Sequence, residues 1–243
     1  MKDNFDEDSE REIAAIAADA ELQRKSAEWM TLSARRRYSY HFKWMGRPII
    51  QYPQDIIALQ EIIWSVKPDL IVETGIAHGG SLIFFASILE LIGGDGLVVG
   101  VDVDIRPHNR VEIDGHSMAK RVRMIQGSSI DQTILDQVRA FASGKHRILV
   151  ILDSNHTHGH VLRELELYSP LVSKGSYLIA MDTIVEAFPS ELIGDRPWGK
   201  GNNPKTAVRE FLKGNNRFIV DKDIESKLLI TVAPEGYLKC IDD

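Results

Sequence analysis

An α/β fold, a Rossmann-like parallel sheet with helices on both faces, is predicted by two features of the sequence. The first is the stretch Leu70-Ile71-Val72-Glu73-Thr74-Gly75-Ile76-Ala77-His78-Gly79-Gly80-Ser81. It opens after Pro68 as an apolar run rich in β-branched residues, the pattern of a strand buried on both faces. It breaks at Gly75 and again at Gly79-Gly80. From Ser81 the residues Leu82, Phe84, Phe85, Ala86, Ile88 and Leu89 continue without a breaker to Gly93. That reads as a helix with Ser81 at its N-cap or first turn. The second feature is recurrence. Apolar runs alternate with helical patterns, which is the rhythm of a parallel sheet.

Taken in order, the chain predicts one helix from about Ser9 to Met30, whose apolar positions Ile13, Ile16, Ala17, Ala20, Leu22, Trp29 and Met30 sit at roughly helical spacing. It precedes the core, so it covers that core or a partner subunit. The start before it is acidic and reads as frayed. Residues 35–48 alternate aromatic with basic and polar side chains, which suits a wall for a sugar or an anionic acceptor, or an irregular packed segment. Pro53, Gln54 and Asp55 open a helix whose face is Ile56, Ile57, Leu59, Ile62, Ile63 and Val66. After the organising strand and helix come strands at 97–104, 122–126, 148–152 and 177–181. Loop with a short helix is predicted over 105–118, helix over 131–142 and 158–172, and a long irregular segment over 183–203, of the length usually reserved for function. A helix from Pro204 and two last strands, 218–220 and 228–232, complete a seven-stranded sheet. The division expected is an N-terminal extension, 1–50, and a catalytic domain, 51–243.

Composition narrows the function. The 243 residues carry a net charge of −6, which gives no general attraction to nucleic acid. The single cysteine, Cys240, excludes an intrachain disulfide framework and a cysteine-based zinc site, and suits a cytoplasmic setting. No apolar run approaches ~20 residues, so no membrane-spanning helix is expected. The acidic N-terminus does not read as a signal peptide.

The glycine turn points to a ligand. Such a turn lets a ligand approach the backbone, and the helix that follows offers unpaired N–H groups. Glu73, ahead of Gly75, would repel a pyrophosphate but suits a ligand carrying an amine and a sulfonium, such as S-adenosylmethionine. The spacing Glu73-x-Gly75-x-x-x-Gly79 resembles motif I of the class I methyltransferases and departs from the dinucleotide fingerprint, which argues against a dehydrogenase. Asp102, at the end of the second core strand, suits both ribose hydroxyls of an adenosine, or else caps the next helix. Gly127-Ser128-Ser129 ends the third, where such sheets meet an adenine.

Two more acids end central strands. Asp153 and Asp182 lie where open parallel sheets bind ligands, and together suit a hard divalent cation. Such a cation would hold two acceptor oxygens and acidify the hydroxyl. His156, three residues beyond Asp153, is the candidate general base. Asp153 alternatively caps the following helix, and His158 and His160 alternatively lie on its exposed first turn. His156 and His160 have H-x-x-x-H spacing, but no Glu follows His156, so zinc-dependent hydrolysis is set aside.

Together these residues resemble a named family. Trp44-Met45-Gly46-Arg47-Pro48 with Gln51 and Pro53, Lys67-Pro68-Asp69, Glu73-Thr74-Gly75 with Gly79-Gly80-Ser81, and Leu152-Asp153-Ser154 with His156-Thr157 are similar to the cephalosporin hydroxylase / rhamnosyl O-methyltransferase family. The similarity runs from about Tyr38 to the C-terminus. No iron facial triad is evident despite the "hydroxylase" label. The resemblance implies S-adenosylmethionine bound by Glu73, Gly75, Ser81, Asp102 and Ser128, with Gly79 shaping the turn. It also implies magnesium held by Asp153 and the acids ending the fifth strand. There the family commonly has two consecutive acids, and this chain has Met181-Asp182, leaving water or Glu186 to complete the site. The activity implied is O-methylation of a sugar or glycan hydroxyl, or of an antibiotic-type small molecule. Separately from the resemblance, the extra helix before the core suggests a homo-oligomer. A non-catalytic cofactor-binding subunit is the alternative that Met181 favours.

Overall fold

The computed structural model describes residues 4–242; residues 1–3, part of the acidic start, lie outside the described residues. The expected N-terminal helix is two. Helix α1 (Phe5–Ala18) ends at Asp19, whose carboxylate accepts the Leu22 amide and so starts α2 (Ala20–Arg35). A polar residue inside an apolar periodicity thus became a cap rather than a helical face. No residue of α1 is buried, and its packing is on α10, described below. Residues 35–48 form a single 3₁₀ turn, Tyr38–His41, and a minimal hairpin of β1 (Lys43–Trp44) and β2 (Arg47–Pro48).

Helix α3 (Pro53–Val66) leads into β3 (Leu70–Thr74), every residue of which is buried. Then follow α4 (Gly80–Ile92), β4 (Leu97–Asp102), α5 (Pro107–Asp114), β5 (Val122–Gln126), α6 (Gln132–Ala142), β6 (Ile148–Leu152), α7 (His158–Tyr168) and β7 (Tyr177–Ala180). Short α8 (Ser190–Ile193), α9 (Pro204–Gly214), β8 (Phe218–Val220), α10 (Lys222–Leu228) and β9 (Tyr237–Cys240) finish the chain. The seven-stranded sheet has the order β5-β4-β3-β6-β7-β9-β8. The first five of these strands run parallel; β9 lies antiparallel between β7 and β8.

Strand alternation divides the core. Ile71, Leu149, Ile151 and Ile179 face α3 and α4, whereas Leu70, Val72, Ile148, Val150 and Leu178 face α6, α7 and α9. Helices therefore cover both faces, as predicted. The strand order reverses between β4-β3 and β3-β6, so the carboxyl ends of β3 and β6 form the crevice where such sheets bind ligands.

The last strand is not where the sequence pattern puts it. Residues 228–232, apolar and β-branched, are the end of α10 and a coil. Leu229 takes φ 60, which no strand tolerates. The Val232 amide bonds to the buried Asp55 carboxylate instead of to a neighbouring strand. The true partner of β7 is the short run Tyr237–Cys240, after the Pro234-Glu235-Gly236 turn. The helix predicted after His158 also ends sooner, with 3₁₀ turn Ser169–Leu171 closing it at Pro170.

Candidate active site

The loop between β3 and α4 is built by close approach. Gly75 has φ +95, and a Cβ there would lie 2.1 Å from the Asp153 carbonyl oxygen. Only glycine lets the β3 and β6 ends touch. Gly79 is the N-cap of α4 at φ +77, where a Cβ would meet the Ile113 side chain at 2.3 Å. Ser81 is in the first turn of α4 and donates to Glu73 at 2.8 Å. Glu73 is buried, and burial pushes its carboxyl up to about 8, against the Ser81 hydrogen bond. Asp102 accepts the Ile76 and Ala77 amides through Oδ2, at 2.8 and 3.1 Å, and the Asp104 amide through Oδ1. It thus holds the loop from below. Ser128 follows β5, with its carbonyl accepting the Asp131 amide at 3.0 Å. Asp102 does not cap α5, whose N-cap is Arg106.

A large cavity, about 1060 Å³, opens over this loop. Gly75 and Ser81 line it; Glu73, Gly79, Asp102 and Ser128 lie outside the lining. Asp153, His156 and Asp182 line its floor, with one possible ligand atom of each within 4.8 Å of the others. His156 Nε2 lies 3.2 Å from Asp182 Oδ2, and its ring meets the Trp198 ring edge-on at 4.9 Å. Asp153 does not cap α7, a duty that falls at Thr157. Asp182 takes φ 56, a strained choice for a non-glycine residue that turns the chain sharply out of β7. Burial first, then the carboxylates of Asp182, Glu73, Glu164 and Asp55, hold the Asp153 carboxyl well above the ordinary range. Repelling acids beside an imidazole fit a hard divalent cation, which would relieve the repulsion.

The remaining candidates go elsewhere. Met181 is buried in the core and offers no hard ligand. Glu186 does not reach the site: it accepts the Gly201 amide and the Asn203 side chain, clasping the 183–203 segment. That segment is not irregular throughout; it contains the 3₁₀ turn Thr183–Ala187, α8 and a Gly199–Asn202 bridge. His158 bonds Thr206 at 2.8 Å and faces Glu210, joining α7 to α9. His160 bonds Ser129 and Ser154 near the buried Glu164. Three neighbouring histidines therefore have three different addresses, and His156 and His160 do not form a zinc pair.

Several site residues carried too little local signal to be assigned a role. Gln51, buried, donates to Asp153 Oδ2 at 3.2 Å from just before α3. Asp55 accepts from Thr231, the Val232 amide and Tyr237, tying α3 to β9, and burial pushes its carboxyl up to about 6. Trp198 was visible only as part of a long loop. Pairings between residues so far apart in the chain leave no trace in spacing.

The cavity, the glycine loop and the acid–histidine floor set the terms for comparison with known proteins. The family model described as Rhamnosyl O-methyltransferase/CmcI matches residues 36–241. A "Rhamnosyl O-methyltransferase" of Mycobacterium tuberculosis is 32% identical over 200 residues, covering 80% of this chain and 76% of that protein. Among solved structures, an apo form of CmcI superposes with TM-score 0.60 at 19% identity, covering 84% of this chain and 78% of that one. CmcI with Mg and SAM gives 0.59 at 19% identity over the same shares. At that identity the structures speak for the shared fold. Sequence match and sheet order agree: the chain belongs to the Rhamnosyl O-methyltransferase/CmcI family, whose fold is that of a class I methyltransferase.

Proposed function

We propose that the chain transfers the methyl group of S-adenosylmethionine to a hydroxyl of a sugar acceptor, with a divalent cation such as Mg²⁺ at Asp153 and Asp182. One observation carries this reading. Asp153, His156 and Asp182 converge within 4.8 Å on the floor of the cavity that the β3–α4 loop also lines. The family's curated members, named for rhamnosyl O-methylation, support a sugar acceptor.

The chain's own residues divide the work. The loop from Gly75 to Ser81, pinned by Asp102 through the Ile76 and Ala77 amides, presents the α4 N-terminus to the cofactor. Glu73, sealed behind Ser81, is neutral near pH 7 until a cationic amine approaches and favours its ionised form. Asp153 and Asp182 hold the cation, and Gln51 fixes one Asp153 oxygen. When bound, that cation would supply charge to acidify the acceptor hydroxyl. His156 receives the proton, and Asp182, 3.2 Å from its Nε2, stabilises the imidazolium. Lining up hydroxyl oxygen and methyl carbon in one cavity accounts for several kcal/mol of barrier lowering. On this reading the N-terminal extension, described from residue 4 to residue 50, adds to the catalytic domain, and its 30–50 portion contributes to the cavity wall.

Isothermal titration with S-adenosylmethionine and S-adenosylhomocysteine, with Mg²⁺ and then with chelator, tests this directly. Micromolar binding of both, and a Mg²⁺ dependence that Asp153→Ala removes, is the expected result. Binding of NAD in place of either would overturn the reading.

A further inference from the structure

The acceptor's second recognition element can be read from the cavity's rim. We propose that the acceptor sugar carries an oxyanion, phosphate or carboxylate, received by Arg35 and Arg37; this rests on the methyltransferase reading above. The cavity sets charged groups among apolar lining residues such as Ile184, Phe188 and Val232. Its floor holds Asp153 and Asp182, where a cation belongs; Arg35, Arg37, Ser39 and Tyr40 line it from the N-terminal side. Arg35 is in the last turn of α2, and Arg37 follows at φ 50. That left-handed residue turns the chain from α2 into the 3₁₀ turn Tyr38–His41, and such outliers cluster at ligand sites. Two others, Ala77 at φ 46 and Asp182 at φ 56, line the same cavity.

The two guanidinium groups are uncommitted. Among the described residues neither Arg35 nor Arg37 has an ion-pair partner; Arg37 lies only over the Tyr40 ring, 5.8 Å from its centroid. Arg47 and Arg121, by contrast, are paired with acids and bonded to carbonyls. Arg196 also lines the cavity, but its Nη1 caps the Leu192 and Ile193 carbonyls, and Glu191 and Asp195 beside it offset its charge. The net positive edge is therefore residues 35–37. A planar guanidinium fork matches phosphate or carboxylate. With about 1060 Å³ the cavity exceeds the usual single-ligand range of roughly 300–1000 Å³, leaving room beyond a cofactor for a substituted sugar. Exposed guanidinium groups in the same cavity as the acid floor would orient such an acceptor, anion outward and hydroxyl inward.

The test uses the full chain loaded with S-adenosylhomocysteine and Mg²⁺. Calorimetric binding is compared for methyl rhamnoside, rhamnose 1-phosphate, a nucleoside-diphosphate rhamnose and the methyl glycoside of a uronic acid. The first is neutral, the next two separate a simple phosphate from a nucleotide, and the last is a carboxylate. At least one anionic sugar is expected to bind about tenfold or more tighter than the neutral one, an advantage that shrinks as salt rises. The double variant R35A/R37A should erase that advantage while keeping its affinity for S-adenosylhomocysteine, which certifies its fold. R37K should retain part of it. Equal binding of neutral and anionic sugars, an unchanged preference in the double variant, or no binding by any of the four overturns the proposal. Loss of S-adenosylhomocysteine binding in the parent chain would instead break the methyltransferase reading.

Discussion

The two sides of the cavity are made differently. The inner side is sheet: Gly75, Asp153 and Asp182 stand at the ends of strands buried on both faces, and are braced by Asp102, Gln51 and each other. The outer side is turns: the Tyr38–His41 turn, four-residue α8 and the bridge around Gly199, with Arg35, Arg37 and Tyr40 exposed. Reacting atoms need placement to a fraction of an ångström, which buried strands deliver. Recognition of a variable acceptor tolerates, and uses, more exposed and adaptable segments. The difference separates residues whose loss should stop chemistry from those whose loss should change selectivity.

That separation breaks most sharply at Gly75. Gly75→Val should destabilise the fold by about 3 kcal/mol or more in urea denaturation, because a side chain must displace the Asp153 backbone and adopt a forbidden φ. Full stability of the Gly75→Val variant would show that the inner side yields after all. Next comes His156. His156→Gln should lower kcat by about 10²–10⁴-fold with S-adenosylhomocysteine affinity retained, whereas the same change at His158 should affect stability and leave kcat within a few-fold. Equal losses at both histidines would erase the distinction between their addresses.

Smaller effects sharpen it. Asp55→Asn leaves the Val232 amide or its neighbours mispaired and should cost about 1–3 kcal/mol of stability without moving the acceptor KM. Glu73→Gln tests a proton. Its folded carboxyl, pushed from 4.5 to about 8, keeps a proton that the unfolded chain releases. The folded state therefore binds more protons across that window, and stability falls as pH rises from the ordinary carboxylate range towards 8. The variant should flatten this part of the stability profile, by a few kcal/mol at most. An unchanged profile would mean that Glu73 is ionised in the folded chain.

Much of the inner side was legible in the sequence because its signals are local. A β-branched run, three glycines and a strand-terminal acid lie within twelve consecutive residues, Leu70 to Ser81, and Asp153 with His156 lie within four. What escaped depends on distant partners. Residues 228–232 have every strand propensity, yet the buried Asp55 captures their Val232 amide from 177 positions away. Asp19 breaks the first helix by capping the second, a local cue outweighed by the apolar spacing around it. Glu186 was an available acid in sequence, but Asn203 and Gly201 take it.

The contact between Gly75 and the Asp153 carbonyl has a wider meaning. It welds the turn proposed to serve the methyl donor to the strand end proposed to serve the acceptor, so neither part can be retuned alone. A protein engineer seeking a new acceptor would find the centre a fixed socket. On the proposed reading the replaceable fitting is the pair of outer segments, 35–40 and 183–203, and shuffling them between relatives should alter selectivity.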